Sequence, residues 1–145
     1  MNRRFLALTI LLVATILTSG LAPAAVAAPR AESLIQVPVT GPEVLSAVEA
    51  AGVPVYAHLI GGDGGAYLLA GATPAQITAL RGQGVALALL DPDPSGATYY
   101  VAYPMPGRDR PDWSAYGRPL LDDGTQVVLR AAPADAERLA LAGAE

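Results

Sequence analysis

The chain contains no cysteine and no lysine, and only one histidine, one phenylalanine and one tryptophan. Without thiols it can form neither disulfides nor thiolate metal sites, and it lacks a lipid-attachment cysteine, so its fold depends on its core alone. Without lysine, nine arginines face thirteen acids, for a formal charge of −4 at pH 7. No basic stripe exists to neutralise phosphates, which argues against nucleic acid or an anionic membrane as partner. His58 has no second imidazole to complete a Ser/His/Asp triad or a two-metal hydrolase centre, and Ser33, Ser46, Ser95 and Ser114 lie in no nucleophile-elbow pattern. On these grounds the chain is read as non-catalytic, with no catalytic residue, no cofactor and no metal site.

What is present begins with residues 1–27, which read as a signal peptide. Asn2-Arg3-Arg4 gives a positive start, 5–21 an apolar run, and Ala25-Val26-Ala27 a small-x-small cleavage site, leaving Ala28 first. The expected location is therefore exported, periplasmic or extracellular, with no stable membrane association after cleavage. An uncleaved anchor is the alternative, its apolar run being near the lower limit of about 17 residues for a spanning helix.

The remaining chain repeats itself. Strand, proline-initiated helix, glycine stop and renewed strand recur from Val37 to Val53 and from Leu69 to Val85, and a third copy, from Val128 to Ala144, is cut off at the start of its renewed strand. Between the last two, a constant offset of 59 aligns Asp63 with Asp122, Gly65 with Gly124, Ala72 with Ala131, Pro74 with Pro133, Leu80 with Leu139 and Gly84 with Gly143. A repeated supersecondary unit follows, because each helix needs neighbouring strands to bury its apolar face.

Alternation predicts strands at 33–39, 53–60, 66–72 and 85–90, with Ile35, Val37 and Val39 on one face of the first and Val53, Val55, Ala57 and Leu59 on one face of the second. Helical spacing after Pro42 and Pro74 places Val44, Val48, Ile77 and Leu80 on buried faces. The joint Gly61-Gly62-Asp63-Gly64-Gly65 reads as a hairpin turn. The order βαββαβ over residues 33–93 predicts an α+β, ferredoxin-like unit with two helices on one face of an antiparallel sheet. Residues 97–145 are expected to form a second, incomplete unit of the same kind. It comprises a strand at 97–103, a Pro-rich connection over 104–119, a turn at Asp122-Asp123-Gly124, a strand at 125–131 and a helix from Pro133. No closing strand follows Gly143 in the sequence, so the chain is read as a fragment of a longer one and residues 125–145 as comparatively labile.

Few residues suggest chemistry. The Gly61–Gly65 joint lacks the lysine and the strand-to-helix setting of a phosphate loop. Asp91-Pro92-Asp93-Pro94-Ser95-Gly96 copies the first half of a calcium loop but has Ala102 where a bidentate Glu belongs, so it reads as a turn whose substitution changes stability little. Asp122-Asp123 is ordinary turn chemistry rather than an acid/base pair. Tyr99, Tyr100, Tyr103, Trp113 and Tyr116 serve either as core between the two units or as a partner surface. The sheet face opposite the helices is expected to be uncovered, with Leu34, Tyr56 and Ile60 forming a possible partner face.

The succession VPVTGPEVLSAVEAAGVPVYAHL, GAYLLAGATPAQITALRGQGVALALLD, TYYVAYP and AYGRPLLDDGTQVVLRAAPADAERLALAGAE resembles the N-terminal region of secreted bacterial zinc aminopeptidases of the leucyl-aminopeptidase type. In that family a signal peptide and a ferredoxin-like pro-domain precede the two-zinc catalytic domain. None of the family's zinc ligands or its general base can be assigned to this sequence. The resemblance implies a pro-domain that assists folding of a peptidase catalytic domain, or masks it, in cis or in trans. The alternative expectation is a stand-alone secreted protein-interaction or protease-inhibitor domain.

Overall fold

The computed structural model describes residues 32–104, 107 and 109–141. The signal peptide at 1–27, cleavage before Ala28 and the glycine stop at Gly143 lie outside these residues. Among the described residues no helix is long and apolar enough to cross a membrane.

Each element begins where local chemistry permits it. Strand β1 (Ser33–Pro38) leads to helix α1 (Pro42–Ala50), which has proline in its first turn and Glu43 near its positive end. Gly52 follows with φ 62°, the left-handed stop that a Cβ disfavours. Strands β2 (Val55–Ile60) and β3 (Ala66–Ala72) form the expected hairpin. Helix α2 (Pro74–Gly82) opens with a reciprocal cap in which Gln76 N–H donates to Thr73 Oγ1 at 3.3 Å and Thr73 N–H donates to Gln76 Oε1 at 2.9 Å. Gln76 Nε2 also donates to the carbonyls of Ala51 and Gly52, each at 3.0 Å, so one side chain caps two helices. Strand β4 (Ala88–Asp91) starts three residues later than the alternation predicts, and Leu89 is 49% exposed on this edge strand.

The first sheet has the order β2-β3-β1-β4, antiparallel throughout. With the element order βαββαβ, this is the mixed α+β, split-βαβ arrangement expected from the sequence. Ile35, Val37, Leu68 and Ala70 meet Val44, Val48 and Leu80 in a core between sheet and helices.

The second sheet consists of β5 (Thr98–Ala102), β6 (Arg118–Asp122) and β7 (Val127–Ala131) in the order β5-β7-β6. A 3₁₀ turn, Trp113–Ala115, stands between β5 and β6 where the first unit has α1. A second, Pro133–Asp135, runs into helix α3 (Ala136–Leu141). Strand β6 corrects the sequence reading, which assigned its residues to an irregular connection and a turn. Pro119 hid it, yet proline is tolerated on a sheet edge, which is where β6 lies.

The two units match register for register. Ser33 opposite Ala72 corresponds to Thr98 opposite Ala131, and Ala57 opposite Leu69 corresponds to Leu121 opposite Val128. Even the β-bulge recurs, between Val55 and Ala57 in one unit and between Pro119 and Leu121 in the other. This bulge reverses the predicted alternation of the second strand: Val53 enters the helix-side core, whereas Ala57 and Leu59 point to the other face of the sheet.

That other face is not open. Leu34, Leu59, Tyr67 and Leu69 of the first sheet pack against Val128 of the second, flanked by Tyr99, Val101, Leu120 and Leu121. The far side of the second sheet is covered by Trp113, Tyr116 and Leu139, which pack on Ala102, Val127 and Leu129. The result is four layers, helices, sheet, sheet and helix, in which each sheet buries the surface the other would have exposed. Val127, Val128 and Leu129 have no exposed surface, so β7, which falls within the segment expected to be labile, lies in the buried interior.

Candidate functional site

The layer between the sheets is where the chain concentrates its buried polar groups. Asp91 ends β4 and is only 1% exposed. Arg130 Nη1 donates to both of its carboxylate oxygens, at 3.1 and 2.9 Å, Tyr99 OH donates to Oδ2 at 2.9 Å, and Asp93 N–H to Oδ1 at 3.3 Å. A carboxylate can be buried at this depth because a cation and a phenol from the other sheet satisfy it. Burial, and then the hydrogen bond to Asp91, raise the ionisation of Tyr99 well above the ordinary phenol range. The sequence reading of Asp91 as a dispensable turn residue is therefore corrected: it joins the two sheets. Its neighbour Asp93 does behave as a turn residue, accepting from the N–H and hydroxyl of Ser95.

A second polar joint lies among the hairpin turns. Asp123 accepts from Thr125 N–H and Oγ1 at 2.9 and 2.7 Å, from Gln126 N–H and Nε2 at 3.0 and 3.1 Å, and from Tyr67 OH at 3.5 Å. Partial burial opposes its charge, but the donors of Thr125 and Gln126 outweigh this and lower its carboxyl to about 2. Burial, with the Asp123 charge beside it, pushes Tyr67 up to about 12. Gln126, 2% exposed, also donates to the Ile60 carbonyl at 2.7 Å, tying the second sheet to the end of β2. Asp122 pairs with Arg110 and accepts from Gly124 N–H at 3.1 Å. Asp123 thus accepts from several donors at once, and Asp122 holds a turn.

Beside the second joint, Gln36, Pro38, Gly61, Gly65, Tyr67 and Asp123 line a surface cleft of about 370 Å³. Its other carboxylate, Asp63, accepts from Gly65 N–H at 2.9 Å and so closes its own turn. Among the described residues no three His, Cys, Asp or Glu side chains come together as a metal centre.

The expected partner face of Leu34, Tyr56 and Ile60 does not exist as one surface. Leu34 is 2% exposed within the inter-sheet layer, whereas Tyr56 and Ile60, 57% and 70% exposed, sit on edge strand β2. Tyr56 lays its hydroxyl over Gly71, where a Cβ would collide with it, and donates to Glu32 Oε2 at 3.2 Å. His58 is exposed on the same strand. The aromatic group divides: Tyr99 enters the inter-sheet layer, Tyr100, Trp113 and Tyr116 pack on the far face, and Tyr103 remains exposed.

Sequence reasoning missed the Asp91–Arg130 pair and Gln126. The available signal was Arg130 itself, the one charge inside the apolar strand Val127–Ala131, since a cation there requires a partner. No protein-family model, curated protein or solved structure matches this chain.

Proposed function

We propose that this chain is a non-catalytic exported module that acts by binding another polypeptide, in the manner of the pro-region of the secreted zinc aminopeptidases its sequence resembles. It assists the folding of a peptidase domain or masks it. The observation that carries this reading is the use of the polar groups. Asp91 and Arg130 join the sheets, Asp122 and Asp123 hold a turn, and His58 stands on an exposed edge strand. These polar groups, among the described residues, serve the scaffold, which supports a reading in which the chain acts through its surface.

The test is to add residues 28–145 to the catalytic domain of a secreted leucyl-type zinc aminopeptidase, both native and refolding from urea. Inhibition saturating at one equivalent, or a higher yield of refolded activity, is expected. Zinc-dependent release of leucine from an anilide by the purified chain alone would overturn the non-catalytic reading. The exposed Tyr56 and Ile60 on edge strand β2 favour a second reading, a stand-alone inhibitor or interaction domain acting in trans. On that reading the chain inhibits mature peptidases but gives no increase in refolding yield.

A further inference from the structure

Strand β1 is bonded along both edges, by β3 on one side and by β4 on the other through Leu34 with Asp91, Ile35 with Leu89 and Gln36 with Ala88. Its counterpart β5 is bonded to β7, and among the described residues no strand pairs with its other edge. The shared register makes Tyr99, Tyr100 and Val101 the equivalents of Leu34, Ile35 and Gln36. Ile35 has no exposed surface, whereas Tyr100, in the unit where a 3₁₀ turn stands in place of α1 and β5 has no outer neighbour among the described residues, remains partly exposed.

The composition of β5 points the same way. Edge strands are normally blunted by charge or proline. The other edge of the same sheet follows this rule, with Arg118, Pro119 and Asp122 in β6, whereas edge strand β2 of the first sheet, like β5, carries neither charged residue nor proline. Thr98-Tyr99-Tyr100-Val101-Ala102 carries neither charge, proline nor glycine, as suits a strand paired on both sides. The cluster containing Tyr100 and Ala102 also holds Trp113, whose buried indole N–H has no acceptor among the described residues.

We infer that the outer edge of β5 receives an extended strand donated by another polypeptide segment, antiparallel to β5 and opposite Tyr99, Tyr100 and Val101, which completes a four-stranded second sheet. The chemistry of the donor is given by the strand that fills the equivalent place in the first unit, Ala88-Leu89-Leu90-Asp91: apolar, and acidic only at its end. Main-chain bonds supply the affinity, and the side chains of the donor alternate between the two faces of the sheet, beside Tyr99 on one and Tyr100 on the other. The inference specifies how the proposed module holds its partner. It rests on the interaction-module reading but not on the partner's being a peptidase.

The experiment titrates a synthetic peptide of residues 84–92 into residues 28–145, following amide exchange and the fluorescence of Trp113, the only tryptophan. Expected is one-to-one, saturable binding that slows the β5 amides not bonded to β7 by about tenfold or more and shifts the Trp113 emission. The same peptide N-methylated at alternate residues is expected to do neither. Unchanged β5 exchange at saturating peptide, protection confined to β2 or β4, or an equal response to the N-methylated peptide overturns the inference. Protection of β5 that grows with protein concentration in the absence of peptide places a second copy there and overturns the donated-strand form. Zinc-dependent hydrolysis by the chain alone would sink the proposed function while leaving the peptide readout intact.

Discussion

Asp91 and Arg130 meet across the interface of the two sheets, with one guanidinium nitrogen 3.1 and 2.9 Å from the two carboxylate oxygens. They belong to different structural units, and the pair fixes how those units face each other. Its arginine is 29% exposed and its aspartate 1%, so the carboxylate is the member that cannot be left alone.

Removing the cation is therefore expected to be costly. Arg130→Leu should lower unfolding stability by about 3 kcal/mol or more, because it leaves a buried carboxylate with only Tyr99 and a backbone N–H. The double variant Arg130→Leu with Asp91→Leu should recover much of that loss. Urea titration measures both, and an unchanged midpoint for the single variant would show that the pair does not hold the sheets together.

Leu80 and Leu139 are equivalent residues of the two units and neither has exposed surface. Substitution of either with Ala should cost about 2–5 kcal/mol. A much smaller loss at Leu139 would mean that α3 does not close the far face of the second sheet.

The second polar joint also predicts a pH response. The Asp123 carboxyl is held at about 2 against an ordinary 3.8, so its contribution to stability is complete above about 3.8 and disappears as pH falls through about 2. Asp123→Asn should flatten this part of the stability profile. For Tyr67, raised from 10.0 to about 12, the contribution is present below 10 and disappears as pH rises towards 12. Tyr67→Phe should weaken the alkaline transition. Thermal melts across pH 2–12 would reveal either dependence or its absence.

Hydrogen exchange should be slow in both central strands. Val127, Val128 and Leu129 are as deeply buried as Ile35 and Val37, so β7 amides are expected to exchange through global unfolding, as those of β1 and β3 do. Fast exchange throughout β7 would separate the second unit from the cooperative core.

Export is open to direct measurement. Expressed with its own N-terminus, the protein should be recovered outside the cytoplasm beginning at Ala28. Intact Met1 in the membrane fraction, detected by mass spectrometry, would establish an anchor instead.

The sequence by itself determined the elements whose signals are local. Pro42, Pro74 and Pro133 start helical turns, Gly52 and Gly84 stop them with positive φ, and the offset of 59 fixes the kinship of β3 with β7. Such signals survive in one dimension because they depend on a residue's own backbone freedom and on its near neighbours. It could not yield the bulges that redirect Ala57 and Leu121, because a one-residue slip leaves composition unchanged while reversing every face that follows. Strand β6 was masked by Pro119, whose acceptability depends on its being at an edge. Only the tertiary structure decided that Leu34 is interior and that Asp91 is structural. Both depend on the second sheet closing over the first, and burial is set by what arrives from far along the chain, 39 residues away in the case of Arg130.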